Sequence, residues 1–446
     1  MELQKTYYPA CVIAILIVLL FGIFTICQVY LVKDNYPVSK LWVGSDYICF
    51  YNATQNLIRG HSLYENIWLS TPDYLKKLVV SFNLRKMSNT SWYCFPPLLA
   101  CINYPLVYFD MDTASRLMFF LLIVAVLSAY ALINSSFESI SGKDRKIIFL
   151  CGVIIIVLSY PVYFLMLRGH MVGIVFLLLA MGIYLFQKNN PLSSVCFGLS
   201  IGMMVFPVLI LVPLLLFRRY KIIVFTLLSL AMLVLFCPGL WLEYFKGPLM
   251  DRFQERGPIF TTDNVSLANT CNFLMIFINK LFSHTGLPTV RVVDSNQVAF
   301  IIYALMFCTM ALADIQIRKK HGPLDREIET SLIMMYFPFM IAIPKNSYQY
   351  NLVILILLVP VLCSLIQKLK KPMPTIILWM LMTGIFLSQI QARFIQNLID
   401  IKPDFFYFFP AFGLFLVMIG CVLFKMWFLM VFQKTENNIH ALANKS

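Results

Sequence analysis

Residues Ala10–Val32 read ACVIAILIVLLFGIFTICQVYLV, a run of 23 positions without one charged side chain. As a helix rising 1.5 Å per residue it reaches roughly 35 Å, enough to cross a hydrocarbon core of roughly 30 Å. It is longer than the apolar part of a cleaved leader, and no small-residue cleavage site follows it, so it reads as a retained anchor. Comparable apolar runs recur as far as Val431. Spans are expected near 10–32, 95–109, 113–134, 147–166, 171–187, 192–217, 220–240, 296–317, 329–344, 349–367, 373–391 and 405–431, about twelve in all. The expected fold class is all-α, a polytopic membrane helical bundle. It forms one transmembrane domain over 1–446, with a polar cytoplasmic tail at 432–446.

Composition agrees with that reading. Hydrophobic residues make up 60% of the chain and charged ones only 13%, and the mean hydropathy of +0.80 lies far from soluble averages. The formal charge of +14 does not point to nucleic acid, because the basic residues sit in short clusters between apolar runs, as cytoplasmic loops do. Twelve cysteines are spread mainly through the spans without a CxxC pair, so neither a zinc site nor a disulfide framework follows. Cys49 and Cys94 share one loop, where a disulfide and two free thiols are both open.

Orientation rests on three basic clusters: Arg218, Arg219 and Lys221; Arg318, Lys319 and Lys320; Lys368, Lys370 and Lys371. With both termini they are expected on the cytoplasmic side. The long loop 33–94 is then external, as are Trp241–Val265, Lys345–Tyr350 and Gln391–Asp404. Within the long loop, Tyr47–Arg59 and Thr71–Met87 read as amphipathic helices suited to lying along the membrane surface. Leu267–Phe282 carries Asn269, Asn272, Asn279 and Lys280, and reads as re-entrant or interfacial. Lys143, Arg145 and Lys146 break the pattern. They become cytoplasmic only if the piece after Pro97 does not cross and the Pro207 segment is two arms, and the side of Arg168–His170 depends on the same choice.

Asp46, in Gly44-Ser45-Asp46-Tyr47, opens the first amphipathic helix just beyond the first span. A carboxylate held there is placed to take a proton from an acceptor hydroxyl. An N-cap role fits the position equally well, since Ser45 and Asp46 are both good caps. Asp110-Met111-Asp112 has the spacing of a metal-binding DxD motif, but it sits between two helices on the expected cytoplasmic side and is assigned to turn and capping.

Larger patterns add weight to Asp46. After it come Phe50, Ala53, Gly60, Leu63 and Tyr64, then Tyr93-Cys94-Phe95-Pro96-Pro97, then the step Gly169-His170, then an apolar helix with a central Pro207 followed by Arg218-Arg219-Tyr220-Lys221. In that order the chain resembles membrane glycosyltransferases of the GT-C type, most closely glycosyltransferase family 87, which transfers mannose or arabinofuranose from polyprenyl-phosphate sugars. Two departures are visible. Met204 stands where the family often has Lys, and Ser347-Tyr348-Gln349-Tyr350-Asn351 lacks the His of the family's late motif.

The resemblance implies an inverting transfer from a polyprenyl-phosphate-sugar donor to a glycolipid or glycan acceptor, with Asp46 as general base. It also implies cations opposite the base for the departing phosphate. The candidates are Arg168 with His170, Lys345, and Arg252 or Arg256, with Tyr348 and Tyr350 beside the donor. Tyr64, Tyr93, Pro96, Pro97 and Gly169 carry the motif. No metal and no cofactor is required by such chemistry. The implied location is a plasma membrane, with the site on the external face and membrane lipids as surroundings. A secondary transporter or lipid-linked sugar flippase is the principal alternative, and a subunit without chemistry is another. The unequal outer loops argue against a transporter built of two related halves.

Overall fold

In a medium without water the backbone of an apolar chain can bond only to itself, which leaves helices as the way across. The computed structural model describes residues 45–64, 93, 95–250, 271, 295–342, 349–369, 373–389 and 408–443. Every regular element among these residues is helical. The α-helices are α1 Ser45–Ile58, α2 Pro97–Asn103, α3 Met111–Ser136, α4 Gly142–Leu158, α5 Tyr160–Arg168, α6 Val172–Gln187, α7 Leu192–Met203, α8 Leu211–Leu216, α9 Tyr220–Phe236, α10 Pro238–Lys246, α11 Ser295–His321, α12 Arg326–Met334, α13 Phe337–Ala342, α14 Leu358–Lys368, α15 Thr375–Ser388 and α16 Phe408–Ala443.

The chain is an all-α polytopic membrane protein. Four described helices have the length and apolarity of a span: Thr113–Ser136, Gln297–His321, Asn351–Lys368 and Pro410–Val431. The pairs Gly142–Leu158 with Tyr160–Met166, bent by 58°, and Tyr220–Phe236 with Pro238–Met250, bent by 98°, raise the number to six if each is one span. The remaining apolar helices are shorter, so the expected number of about twelve is not established by the described residues. The anchor at 10–32, the helix at 71–87 and nearly all of 267–282 lie outside them.

Two expectations are corrected. The stretch 95–109 is not a span: α2 has seven residues and gives way to a 3-10 turn at Tyr104–Tyr108, together roughly 20 Å of helix. The stretch 192–217 is not one helix either, because α7 ends at Met203 and a 3-10 turn at Phe206–Ile210 precedes α8. Pro207, which has no N–H to continue a helix, sits at the start of that turn. Helix α1 does form over the expected residues, and one face of it packs into the protein. Tyr47, Ile48, Phe50, Asn52, Ala53, Thr54 and Asn56 are all buried.

These breaks set the ends of the bundle. At one end, Lys188 pairs with Glu138 at 2.7 Å and holds its carboxyl below the usual carboxylate range. The Glu327 carboxylate accepts from the Glu138 and Ser139 backbone N–H groups and pairs with Lys368 at 3.0 Å. Gln367 Nε2 donates to Asp144 at 3.3 Å, and Arg219 Nε donates to Glu329 at 2.6 Å. The cluster Lys143, Arg145 and Lys146, at the head of α4, therefore shares an end with Arg218, Arg219 and Lys368.

Helices α4 and α5 run away from that end to Arg168, and α6 returns from Val172 to Lys188. Arg168 thus lies at the opposite end, where Tyr51 Oη donates to the Phe109 carbonyl at 2.9 Å and Gln55 Nε2 to that of Val107 at 3.0 Å. Asp110 caps α3 there, accepting from the Thr113 N–H at 3.0 Å and the Thr113 hydroxyl at 2.7 Å. Its capping role is as expected, but its end of the bundle is not: it stands with α1, not with the basic clusters.

Small residues let helices close on one another. A Cβ on Gly413 would come within 2.5 Å of the Ser388 nitrogen and 2.7 Å of the Gly384 carbonyl oxygen. Helices α15 and α16 therefore meet backbone to backbone, as small-residue seams in membranes allow.

Candidate active site

Helix α1 carries the expected family pattern, and the structure gives most of it a packing role. Phe50, Ala53 and Leu63 are fully buried. Gly60 has φ +75°, a left-handed conformation that ends the helix cheaply only for glycine. The His61 N–H closes that turn on the Asn56 carbonyl at 2.9 Å. Tyr64 then reaches across to donate to the Phe95 carbonyl at 3.0 Å.

The pair Pro96-Pro97 is explained by what Tyr93 does. Pro97 opens α2, where a missing N–H costs nothing because the first turn has no acceptors for it. The Tyr93 hydroxyl donates to the Pro96 carbonyl at 2.8 Å and accepts from the Ala100 N–H at 3.1 Å. A distant phenol thus satisfies an orphan donor of the helix start. Phe50, Tyr64, Tyr93 and Phe95 form one aromatic group, with ring centroids 5.0 to 6.1 Å apart in the closest pairs.

His170 rests against this group, with its ring 5.6 Å from Phe50 and 5.2 Å from Phe95, edge to face in both cases. It is buried, and its Nδ1 accepts from the Val172 N–H at 3.2 Å, capping α6. Gly169 precedes it at φ +64°, with its N–H bonded back to Leu165 and Met166. The Gly-His step is therefore a left-handed helix stop followed by a side-chain cap, and it fixes where Arg168 points.

Arg168 meets Asp46. Its Nε lies 3.0 Å from Oδ2 and its Nη2 lies 2.8 Å from Oδ1, a two-pronged pair joining the last residue of α5 to the first turn of α1. Among the described residues both carboxylate oxygens go to this guanidinium. Phe50 stands four residues beyond Asp46, on the same helix face. The aromatic group thus forms a floor one helical turn below the ion pair. The side chains keep 30% (Arg168) and 15% (Asp46) of their surface exposed.

A polar hub lies at the other end of α5 from Arg168. Ser159, buried at the bend between α4 and α5, caps α5 and donates to Gln389 Oε1 at 2.5 Å. Gln389 Nε2 donates to the Leu352 carbonyl at 3.3 Å. These two residues escaped sequence reading because neither is charged. Also unforeseen was Glu243, the lone acid between Lys221 and Met250, which accepts from the Ser62 hydroxyl at 2.6 Å. It ties α10 to the turn after α1, where Tyr244 lies 6.3 Å from Tyr64. Lys345, Tyr348, Arg252 and Arg256 lie outside the described residues, as do the side chain of Tyr350 and Cys94, so the choice between a disulfide and two thiols at Cys49 and Cys94 stays open.

A family model for glycosyltransferase family 87 matches residues 93–344, more than half of the chain. The chain belongs to glycosyltransferase family 87. No curated protein and no solved structure matches it at a significant level. The protein is thus a membrane glycosyltransferase, and its substrates include a sugar donor and a glycan or lipid acceptor. The match begins at Tyr93, so it takes in Pro96, Pro97, Arg168, Gly169 and His170. Asp46 and Tyr64 of the glycosyltransferase lie before it and join it through their contacts.

Proposed function

We propose that this glycosyltransferase moves a mannose-like hexose or a pentose from a polyprenyl-phosphate-sugar donor to a lipid-linked or polysaccharide acceptor. The acceptor oxygen bonds to the anomeric carbon from the face opposite the phosphate. The bond from that carbon to the phosphate oxygen breaks with its electron pair on phosphate, so configuration inverts. The hydroxyl proton passes to Asp46, and the products are the lengthened acceptor and polyprenyl phosphate. Arg168 faces the departing phosphate, and positioning plus charge stabilisation supply the rate.

The observation that carries this reading is the meeting of Asp46 with Arg168 above the aromatic floor. It joins a proton acceptor to a phosphate-binding fork at one end of the bundle. Support for an external site comes from the basic clusters, which gather at the other end and which loops retain on the cytoplasmic side. Lys345, Tyr348, Tyr350 and Arg252 belong to the same proposal as further donor contacts, and the membrane is a plasma membrane.

Purified protein in lipid nanodiscs, given polyprenyl-phosphate-[14C]mannose and a lipid-extract acceptor, tests the donor class. Label is expected in the acceptor fraction with release of polyprenyl phosphate. Transfer from a nucleotide sugar, with the polyprenyl donor inert, would overturn the reading.

A further inference from the structure

The ion pair that marks the site also blocks it. Both oxygens of Asp46 accept charge-assisted hydrogen bonds from Arg168, at 3.0 and 2.8 Å. A carboxylate so engaged has both oxygens turned to the guanidinium and not to an acceptor hydroxyl, and the Nε–Nη2 edge of the guanidinium is turned to the carboxylate and not to a phosphate. While the pair is closed, that edge and those oxygens serve each other and neither of the two roles assigned above. Resting on that reading, we propose that the Asp46–Arg168 pair is a latch which the donor itself opens: its phosphate takes over the Arg168 fork, and only then is Asp46 released as base.

Each partner has a place to stay once parted. Arg168 is held at the end of α5 by the Gly169 stop and lies over the Phe164 ring at 5.8 Å, so it need not swing away to change partner. Asp46 lies in the first turn of a 14-residue helix, where the N-terminal dipole favours a free carboxylate. The donor's phosphodiester offers the fork a pair of oxygens sharing one negative charge, as the carboxylate does. The exchange leaves Arg168 in place, while Asp46 turns to the face of the sugar opposite the phosphate.

A purely structural strut is the competing reading. It is poorly motivated, because α1 is already fixed by its buried face and by the Tyr51 and Gln55 bonds to the 3-10 turn. The latch also has a consequence for the chemistry. An acceptor that arrives before the donor meets no free base, so turnover is ordered, with the donor first.

The test is the affinity of a long-chain polyprenyl phosphate for detergent-purified protein, measured by thermophoresis. Asp46→Asn removes the competing charge, so Arg168 is expected to bind the probe roughly tenfold more tightly. Arg168→Gln is expected to bind it at least roughly tenfold more weakly, and the double variant is expected to match Arg168→Gln. Inorganic phosphate and phosphatidic acid are run alongside. An equal gain for inorganic phosphate would make the latch a general anion site and overturn its link to the donor.

Asp46→Asn with unchanged affinity, at matched thermal stability, would sink the latch. If that same variant loses turnover, the general-base reading survives alone. If it keeps turnover, the general-base reading falls as well. Should Asp46→Asn fail to accumulate, Arg168→Lys carries the test, since a point charge holds Asp46 less firmly yet still attracts phosphate. An affinity at or above wild type is then expected, and a loss as large as that of Arg168→Gln refutes the latch.

Discussion

At the scale of single residues, the site divides between side chains that build it and side chains that are free to react. Tyr64, Tyr93, Pro96, Pro97 and Gly169 all have structural work: a carbonyl bonded, a helix start capped, a turn reversed. Asp46 has none of that kind, since its oxygens go to Arg168 across the helix gap. Replacing it by Asn keeps the shape but removes the basicity. Turnover of the lipid-phosphate donor is expected to fall by about a hundredfold to ten-thousandfold, while stability shifts by about 1 kcal/mol. Steady-state transfer at matched folded protein, beside a thermal melt, measures both. A variant that retains most of the wild-type rate would make Asp46 a strut and send the search for a base to other carboxylates at this end of the bundle, Glu243 among them.

Between elements, the deepest polar contact lies far from the site. Lys425 on α16 reaches Asp314 on α11 at 2.6 Å, and Tyr336, in the break between α12 and α13, donates to the same oxygen at 2.7 Å. All three side chains are buried, and the Lys425 ammonium sits 3.9 Å from the centre of the Tyr336 ring. Charges taken out of water must satisfy each other, and removing one leaves the other stranded. Asp314→Leu or Lys425→Met alone is expected to cost about 3–5 kcal/mol, and the pair of substitutions together much less. Thermal unfolding in detergent, read as a double-mutant cycle, decides it. Additive losses would show that the two side chains act independently. The triad links α11 and α16 to the break before α13 within an otherwise apolar contact.

For the whole molecule, the threading follows from the two breaks at Pro97–Tyr108 and Pro207. It places Lys143 with the other basic clusters, and it places Tyr108, 71% exposed, at the Asp46 end. In a background with the native cysteines replaced, a cysteine at Tyr108 is expected to react with an impermeant thiol reagent from outside intact cells. One at Lys143 is expected to react only after lysis. The reverse pattern would turn the protein over in the membrane and put donor and acceptor on the cytoplasmic side. Labelling of both positions from one side would remove the threading itself.

The amino-acid sequence by itself determined that this chain lives in a bilayer as helices, because runs such as Thr113–Ser136 have nowhere else to put their apolar side chains or bond their backbone. It also made Asp46, Arg168 and the Gly169-His170 step legible, since charge and backbone freedom at a span end are local signals. Three-dimensional packing alone decided the rest. Whether Pro207 lets a span through or turns it back depends on what α7 and α8 pack against, and periodicity does not encode that. Arg168 faces Asp46, 122 positions away, only once α4 bends by 58° into α5 and α5 packs against α1. Glu243 and Gln389 carry no pattern in the chain, since their roles exist only once partners from distant helices have been brought within hydrogen-bonding distance.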